Sequence, residues 1–249
     1  ITIFLVSLTH CSFDNKTGIW KNDSEIGTKK ISRFEDFETL YTQEKTFEEI
    51  ILPSRKLKAS LEVAQTTIQW ADEFYNSSNK FNNFTYKNVN ELVFKSKKLT
   101  KNKPNERFLF DGANIILADN IGNITVYSVE YQNIVFKYNF YQKKYKKINK
   151  VINYIIENNI IYVADNIGYL YALNYKTKKL IWAKNYKIPF RSNLKISNEK
   201  IFVSDQNNGL YIINKYNGER IRLIPTEENT LKNNFINNFA LDNKNLFYL

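Results

Sequence analysis

The chain has 249 residues, of which 43% are hydrophobic and 15% aromatic, enough to build a sizeable core and too much for wholesale disorder. With 7 Gly, 4 Pro, one Cys and one His, collagenous, low-complexity and disulfide-framework chains are excluded, as are multi-thiolate zinc sites and HExxH metal chemistry. The net charge of +11 admits a nucleic-acid or anionic-membrane partner. The bland reading is stronger, because the basic residues are spread along the chain and abundant Lys, Asn, Ile, Tyr and Phe reflect A/T-rich codons; no nucleic-acid partner is expected.

In chain order, the first feature is the apolar run Ile1–Leu8, which stops at Thr9-His10-Cys11 and gives way to polar Ser12-Phe13-Asp14-Asn15-Lys16. It is too short for a transmembrane helix. An apolar stretch ending at the only Cys resembles the tail of a bacterial lipoprotein signal, which makes Cys11 the expected lipidation site. His10 departs from the small residue usual before that Cys. The competing reading is a buried N-terminal strand with Cys11 in the core. The chain opens with Ile1 and ends inside a predicted strand, Leu246–Leu249, so further sequence is expected at both ends.

Residues 12–104 read, by extension from the propeller-like repeats that follow them, as a divergent N-terminal blade with a long insertion. Lys58–Val63, Thr66–Trp70 and Glu91–Phe94 are predicted strands, and Asn76–Asn83 is a polar, Asn-rich stretch. Lys95–Pro104 is a basic loop whose Pro stops any helix; it is expected to be a solvated surface, within reach of anionic headgroups.

From residue 105 the chain repeats. Ile115–Tyr127, Ile161–Leu173 and Ile201–Ile213 align on Asp119, Asp165 and Asp205, spaced 46 and then 40 residues apart, and a fourth copy begins at Leu241-Asp242. Short strands at that period point to propeller blades. Each unit reads as strand, tight turn, strand, turn, strand. The D-N-x-G type turns supply residues that tolerate positive φ. Val163, Leu170 and Ala172 alternate with more polar neighbours, as half-buried strands do. The three Asp residues could also be calcium ligands, but a calcium loop needs several oxygens converging on one ion, and a hairpin turn is the better reading.

The unit Ile161–Trp182 resembles the PQQ-like repeat, V-Y-V-G-x-x-x-G-x-L-Y-A-L-D-x-x-T-G-K-x-x-W, matching ten of its fourteen specified positions. The neighbouring units hold Phe136 and Arg222 at the Trp position. The resemblance covers residues 105–249, as three blades and the start of a fourth. The implied fold class is all-β, a β-propeller of four-stranded PQQ-like blades, incomplete in this chain. With the lipoprotein-like start, the whole resembles the lipoprotein family of the outer-membrane β-barrel assembly machinery.

That resemblance implies a non-enzymatic scaffold lipid-anchored on the periplasmic face of the outer membrane. Its expected partners are the barrel-forming subunit of that machinery and unfolded outer-membrane proteins. The family's contact loop lies between blades and carries two Leu and an Arg. By position the segment Ile188-Pro189-Phe190-Arg191 matches it, with Ile188 and Phe190 as apolar contacts and Arg191 as the charged anchor. Arg191 suits a blade-to-blade structural role equally well, and the family's acidic pair in the next blade is unmatched, since Asn234 and Ile236 fall there.

An enzyme is the less favoured reading, and no cofactor is expected. Quinone- and calcium-dependent periplasmic dehydrogenases share the repeat but carry a vicinal Cys pair over the cofactor, and this chain has one Cys. No G-x-G-x-x-G, P-loop or G-x-S-x-G motif is present. A fragment of such a dehydrogenase and a generic propeller scaffold remain the alternatives.

Overall fold

The computed structural model describes residues 11–13, 20–22, 52, 54, 56–58, 60, 63–64, 66, 69–86, 88, 91–92, 94–141, 145–225, 238–242 and 245–248. The apolar run before Cys11, His10, Asn234 and Ile236 lie outside the described residues. Two compact units are formed, residues 1–58 and 59–249. In the first, β1 (Cys11–Phe13) pairs antiparallel with β2 (Trp20–Asn22), Cys11 opposite Asn22. Among the described residues every regular element is a strand.

The second unit is built from antiparallel four-stranded meanders. Blade one is β3 (Leu109–Phe110), β4 (Asn114–Ala118), β5 (Asn123–Ser128) and β6 (Asn133–Asn139). Blade two is β7 (Ile152–Glu157), β8 (Ile160–Asp165), β9 (Tyr169–Asn174) and β10 (Lys179–Asn185). Blade three is β11 (Lys195–Ser197), β12 (Lys200–Ser204), β13 (Leu210–Asn214) and β14 (Arg220–Ile224). A two-stranded sheet, β15 (Phe239–Leu241) with β16 (Leu246–Tyr248), begins a fourth blade. Strand order follows chain order in each sheet, as in an incomplete β-propeller.

The three-strand unit legible in the repeat is completed by an inner strand ahead of it: β3, β7 and β11. The outer strands obey one rule. Each carries a bulge residue, Val135, Ile181 or Ile221, followed by the position that pairs Phe136 with Val126, Trp182 with Ala172 and Arg222 with Ile212. The three positions aligned by sequence are therefore equivalent in space. A bulge on an exposed edge also increases local twist and discourages further pairing.

Blade two is not half-buried as the alternation implies; both of its faces are covered. Ile161, Val163, Tyr171 and Leu173 pack into the core shared with blade one. Their neighbours Tyr162, Ala164, Leu170 and Ala172 pack into the core shared with blade three. A strand sandwiched between two sheets has no solvent face, so its period-2 pattern separates two cores rather than core from water. Trp182 crosses to the next blade: its Nε1 donates to the Lys215 carbonyl at 2.9 Å. A Cβ at Gly218 would fall 2.4 Å from the Trp182 ring, and Gly218 has a φ of 69°. Glycine there meets both the backbone and the packing requirement.

The described residues between 52 and 104 form turns, bends and isolated bridges, and the predicted strands Lys58–Val63, Thr66–Trp70 and Glu91–Phe94 lie partly outside the described residues. Residues 69–80 run instead across the inner strands of the blades. Such a segment borrows its hydrogen bonds from existing strand edges, so it needs no alternating pattern of its own.

Candidate functional site

The turn aspartates act through one geometry. Asp165 Oδ1 accepts the N–H groups of Ile167, Gly168 and Tyr169, each at 2.8 Å, and its Oδ2 accepts the Tyr141 hydroxyl. Asp205 Oδ1 accepts the N–H groups of Asn207 (2.8 Å) and Gly209 (2.9 Å). Asp119 accepts the N–H of Asn123 at 2.9 Å and side-chain donors from Asn123, Thr100 and Asn102. Carboxylates surrounded by N–H and hydroxyl donors close turns. For Asp119, burial raises the carboxyl pKa, but the bonds from Asn123, Asn102 and Thr100 prevail and hold it below the usual range. At Asp165 burial prevails over the same kind of bonds and the pKa is raised.

Against each turn lies the link into the inner strand of the same blade. Asn120, Asn166 and Gln206 donate their N–H groups to the carbonyls of Lys103, Val151 and Pro189, respectively. Asn105 and Arg191 likewise donate to the carbonyls of Ala118 and Ser204. The end of the basic loop, Lys103-Pro104, is thus the link of blade one. Lys95, Lys97, Lys98, Lys101 and Lys103 are exposed, in keeping with a solvated surface over a pinned backbone.

Ile188-Pro189-Phe190-Arg191 is the link of blade three. Tyr186 N–H donates to the Gly168 carbonyl at 2.8 Å and Phe190 N–H to the Asp165 carbonyl at 3.0 Å. A Cβ on Gly168 would sit 2.8 Å from the Ile188 carbonyl oxygen, so the close approach requires glycine. Ile188 and Arg191 are half-buried. Phe190 is different. It is 1% exposed and meets Tyr186 and Tyr211 edge-on, at centroid distances of 5.5 and 5.8 Å. Its ring belongs to the core between blades two and three and is not presented to a partner, which corrects its assignment as an apolar contact. Cys11 lies in the other compact unit.

A buried charged network, which the sequence reading missed, surrounds residues 69–80. Trp70 exchanges two backbone hydrogen bonds with Phe110 of β3, at 2.7 and 2.8 Å. On β7, Ile156 N–H donates to the Ala71 carbonyl (2.9 Å) and Tyr154 N–H to Glu73 Oε1 (3.1 Å). On β15, Leu241 N–H donates to the Ser77 carbonyl (2.7 Å), and the Asn79 side chain donates to the Phe239 carbonyl (2.9 Å). From β11, Lys195 Nζ donates to Asp72 Oδ2 (2.7 Å), Asn79 Oδ1 (2.6 Å) and the Asn76 carbonyl (2.9 Å). Arg107 pairs with Glu73 at 3.2 Å and lies over the Phe74 ring. One segment thus joins four inner strands.

The network is desolvated. Burial raises the Asp72 pKa and lowers that of Lys195, each opposed by attraction to the other. Burial also pushes Glu73 up to about 7, against the Tyr154 N–H and Arg107. Two signals in the sequence mark this network: an Asp-Glu pair bracketed by aromatics in Trp70–Phe74, and a lone Lys between Leu194 and Ile196.

No protein-family profile and no curated protein matches the chain. Among solved structures it is similar to BamB from Moraxella catarrhalis, at 16% identity and a TM-score of 0.39, over 46% of this chain and 33% of that one. It is similar to the quinohemoprotein alcohol dehydrogenase of Comamonas testosteroni at 14% identity and a TM-score of 0.47, over 65% of this chain and 28% of that one. A europium-containing methanol dehydrogenase matches at 16% identity and a TM-score of 0.48, over 68% and 34%. The chain thus spans about a third of the length of these proteins. The PQQ-like blade reading stands on the registers given above.

The calcium implied by the dehydrogenase alternative fits the carboxylates at the inner strands poorly. Asp72 and Glu73, the carboxylates facing those strands, are each engaged by a cation, Lys195 and Arg107. Among the described residues no three Asp, Glu, His or Cys side chains converge as a calcium loop requires.

Proposed function

We propose that this chain is a non-enzymatic scaffold of the outer-membrane β-barrel assembly machinery. In this reading it is anchored through acylated Cys11 on the periplasmic face of the outer membrane. It binds the barrel-forming subunit and helps present unfolded outer-membrane proteins. The observation that carries the reading is the blade-three link: its backbone is tied to the turns at Asp165 and Ser204-Asp205, while Ile188 and Arg191 stay half-exposed. A contact loop held this way keeps a fixed shape on a rigid scaffold, so little ordering entropy is lost on binding. The PQQ-like pattern of Ile161–Trp182 and the apolar run ending at Cys11 support the same family.

The role of Phe190 in this reading is indirect, since it fixes the link from inside. Arg191 and Ile188 supply the contact, a charged fork beside an apolar side chain. Expression of the full reading frame with a C-terminal tag in a Gram-negative host, followed by identification of what copurifies from solubilised membranes, tests it. The expected result is recovery of a barrel-forming subunit, lost on Arg191→Ala and, through loss of the anchor, on Cys11→Ala. A soluble periplasmic protein that brings down no membrane complex would overturn the reading.

A further inference from the structure

Residues 70–79 treat the inner strand edges as a partner strand would. Trp70 makes a mutual backbone pair with Phe110 and the Ala71 carbonyl accepts from the Ile156 N–H, the bonding of strand addition at a sheet edge, while the Glu73 side chain accepts from the Tyr154 N–H. Three features make this strap separable from the blades. Its charged tie to blade three, Lys195 to Asp72, is a buried ion pair with side chains 0% and 5% exposed, and desolvating two charges offsets much of their attraction. Tyr75 has a φ of 80°, a strained backbone conformation for an aromatic residue. Cavities of about 510 and 440 Å³ adjoin the strap, both lined by Gln69, Ala71, Ile156 and Glu157. Sparse packing on open flanks is a property of elements that open before the global fold does, and a strained residue and a costly ion pair reduce what that opening loses.

We infer that the inner edges of β3 and β7 form a strand-accepting site, occupied in cis by Trp70–Glu73, for an extended peptide carrying an aromatic residue, a small residue and two consecutive carboxylates. The strap itself specifies that chemistry. Its aromatic and small residues, Trp70 and Ala71, pack against the core shared by blades one and two, the small one where the chain meets Ile156. The first carboxylate meets Lys195, and the second meets Arg107 and the Tyr154 N–H. A tethered occupant competes at high effective concentration, so a peptide in trans binds with an affinity reduced by the fraction of time the strap is seated. The inference is independent of the barrel-assembly reading.

The test weakens the strap and leaves the blades intact. The full chain and its Asp72→Asn/Glu73→Gln variant are titrated with a fluorescein-labelled synthetic peptide of residues 66–80, while amide exchange is followed at Phe110, Tyr154 and Ile156. The expected result is faster exchange at those three amides in the variant and renewed protection when the peptide is added. Peptide affinity should also be at least about tenfold higher for the variant than for the parent chain. Unchanged exchange in the variant, exchange that the peptide does not slow, or equal affinities would each overturn the proposal. If the variant fails to fold, native-state exchange of the parent chain decides. Exchange of Phe110, Tyr154 and Ile156 as a group, faster than Tyr162 and Val163 of β8, supports a separable strap; exchange at the β8 rate contradicts it.

Discussion

A single carboxylate organises each turn, and Asp165 accepts the most backbone N–H groups. Removing it leaves the N–H groups of Ile167, Gly168 and Tyr169 and the Tyr141 hydroxyl without their acceptor. Leaving buried donors unsatisfied is expensive, so Asp165→Ala is expected to cost about 3 kcal/mol, read as a lowered urea midpoint at unchanged slope. Asp165→Asn, which keeps one acceptor oxygen, should fall between. Glu73 supplies a pH signature. Its pKa rises from 4.5 in the unfolded chain to about 7 in the fold, chiefly by burial, so the folded state holds the extra proton between those values. Stability contributed by this group is present at low pH and falls as pH rises from about 4.5 to 7. Glu73→Gln should flatten that slope in denaturation measured across the window; an unchanged slope would refute the assignment.

The strands show where local sequence suffices and where it does not. The D-N-x-G turns, the strands on either side of them and the equivalence of Phe136, Trp182 and Arg222 were legible, because turn chemistry and a repeat of about 40 residues mark them directly. The inner strands were not: β3 has two residues and β11 three, too short for any period to show, and the six residues of β7 are buried at almost every position, so no alternation marks them. The strap has no sequence signature beyond the end of the predicted strand Thr66–Trp70 and part of the polar stretch Asn76–Asn83, because its partners are distant in sequence and its bonds go to other elements' edges. Phe190 exposes the same limit: a Pro-Phe-Arg link offers a surface-like pattern, and only the packing of Tyr186 and Tyr211 shows that the ring points inward. Phe190→Ala should therefore lower stability by about 3–5 kcal/mol through an interior cavity. Arg191→Ala, at a half-buried position, should cost about 1 kcal/mol or less. Thermal melts of the two variants distinguish the roles; equal losses would contradict the division.

At the scale of the molecule, neighbouring blades are joined by shared cores and tied at their inner edges by the strap. The links lie at the turn end of the strands, beside Asp165 and Asp205, and the Lys215–Gly218 turn lies at the other. β13 separates these ends by five residues, about 17 Å of extended chain. The two ends therefore present distinct surfaces, and the central claim assigns partner binding to the link end. Its most direct test is a photo-reactive residue placed at position 188, and in a second protein at exposed position 216, followed by crosslinking in intact cells. The account predicts an adduct with a β-barrel assembly subunit from position 188 and none from position 216. Adducts from both positions alike, or from position 216 alone, would contradict it, as would none from position 188 in a protein shown to be folded.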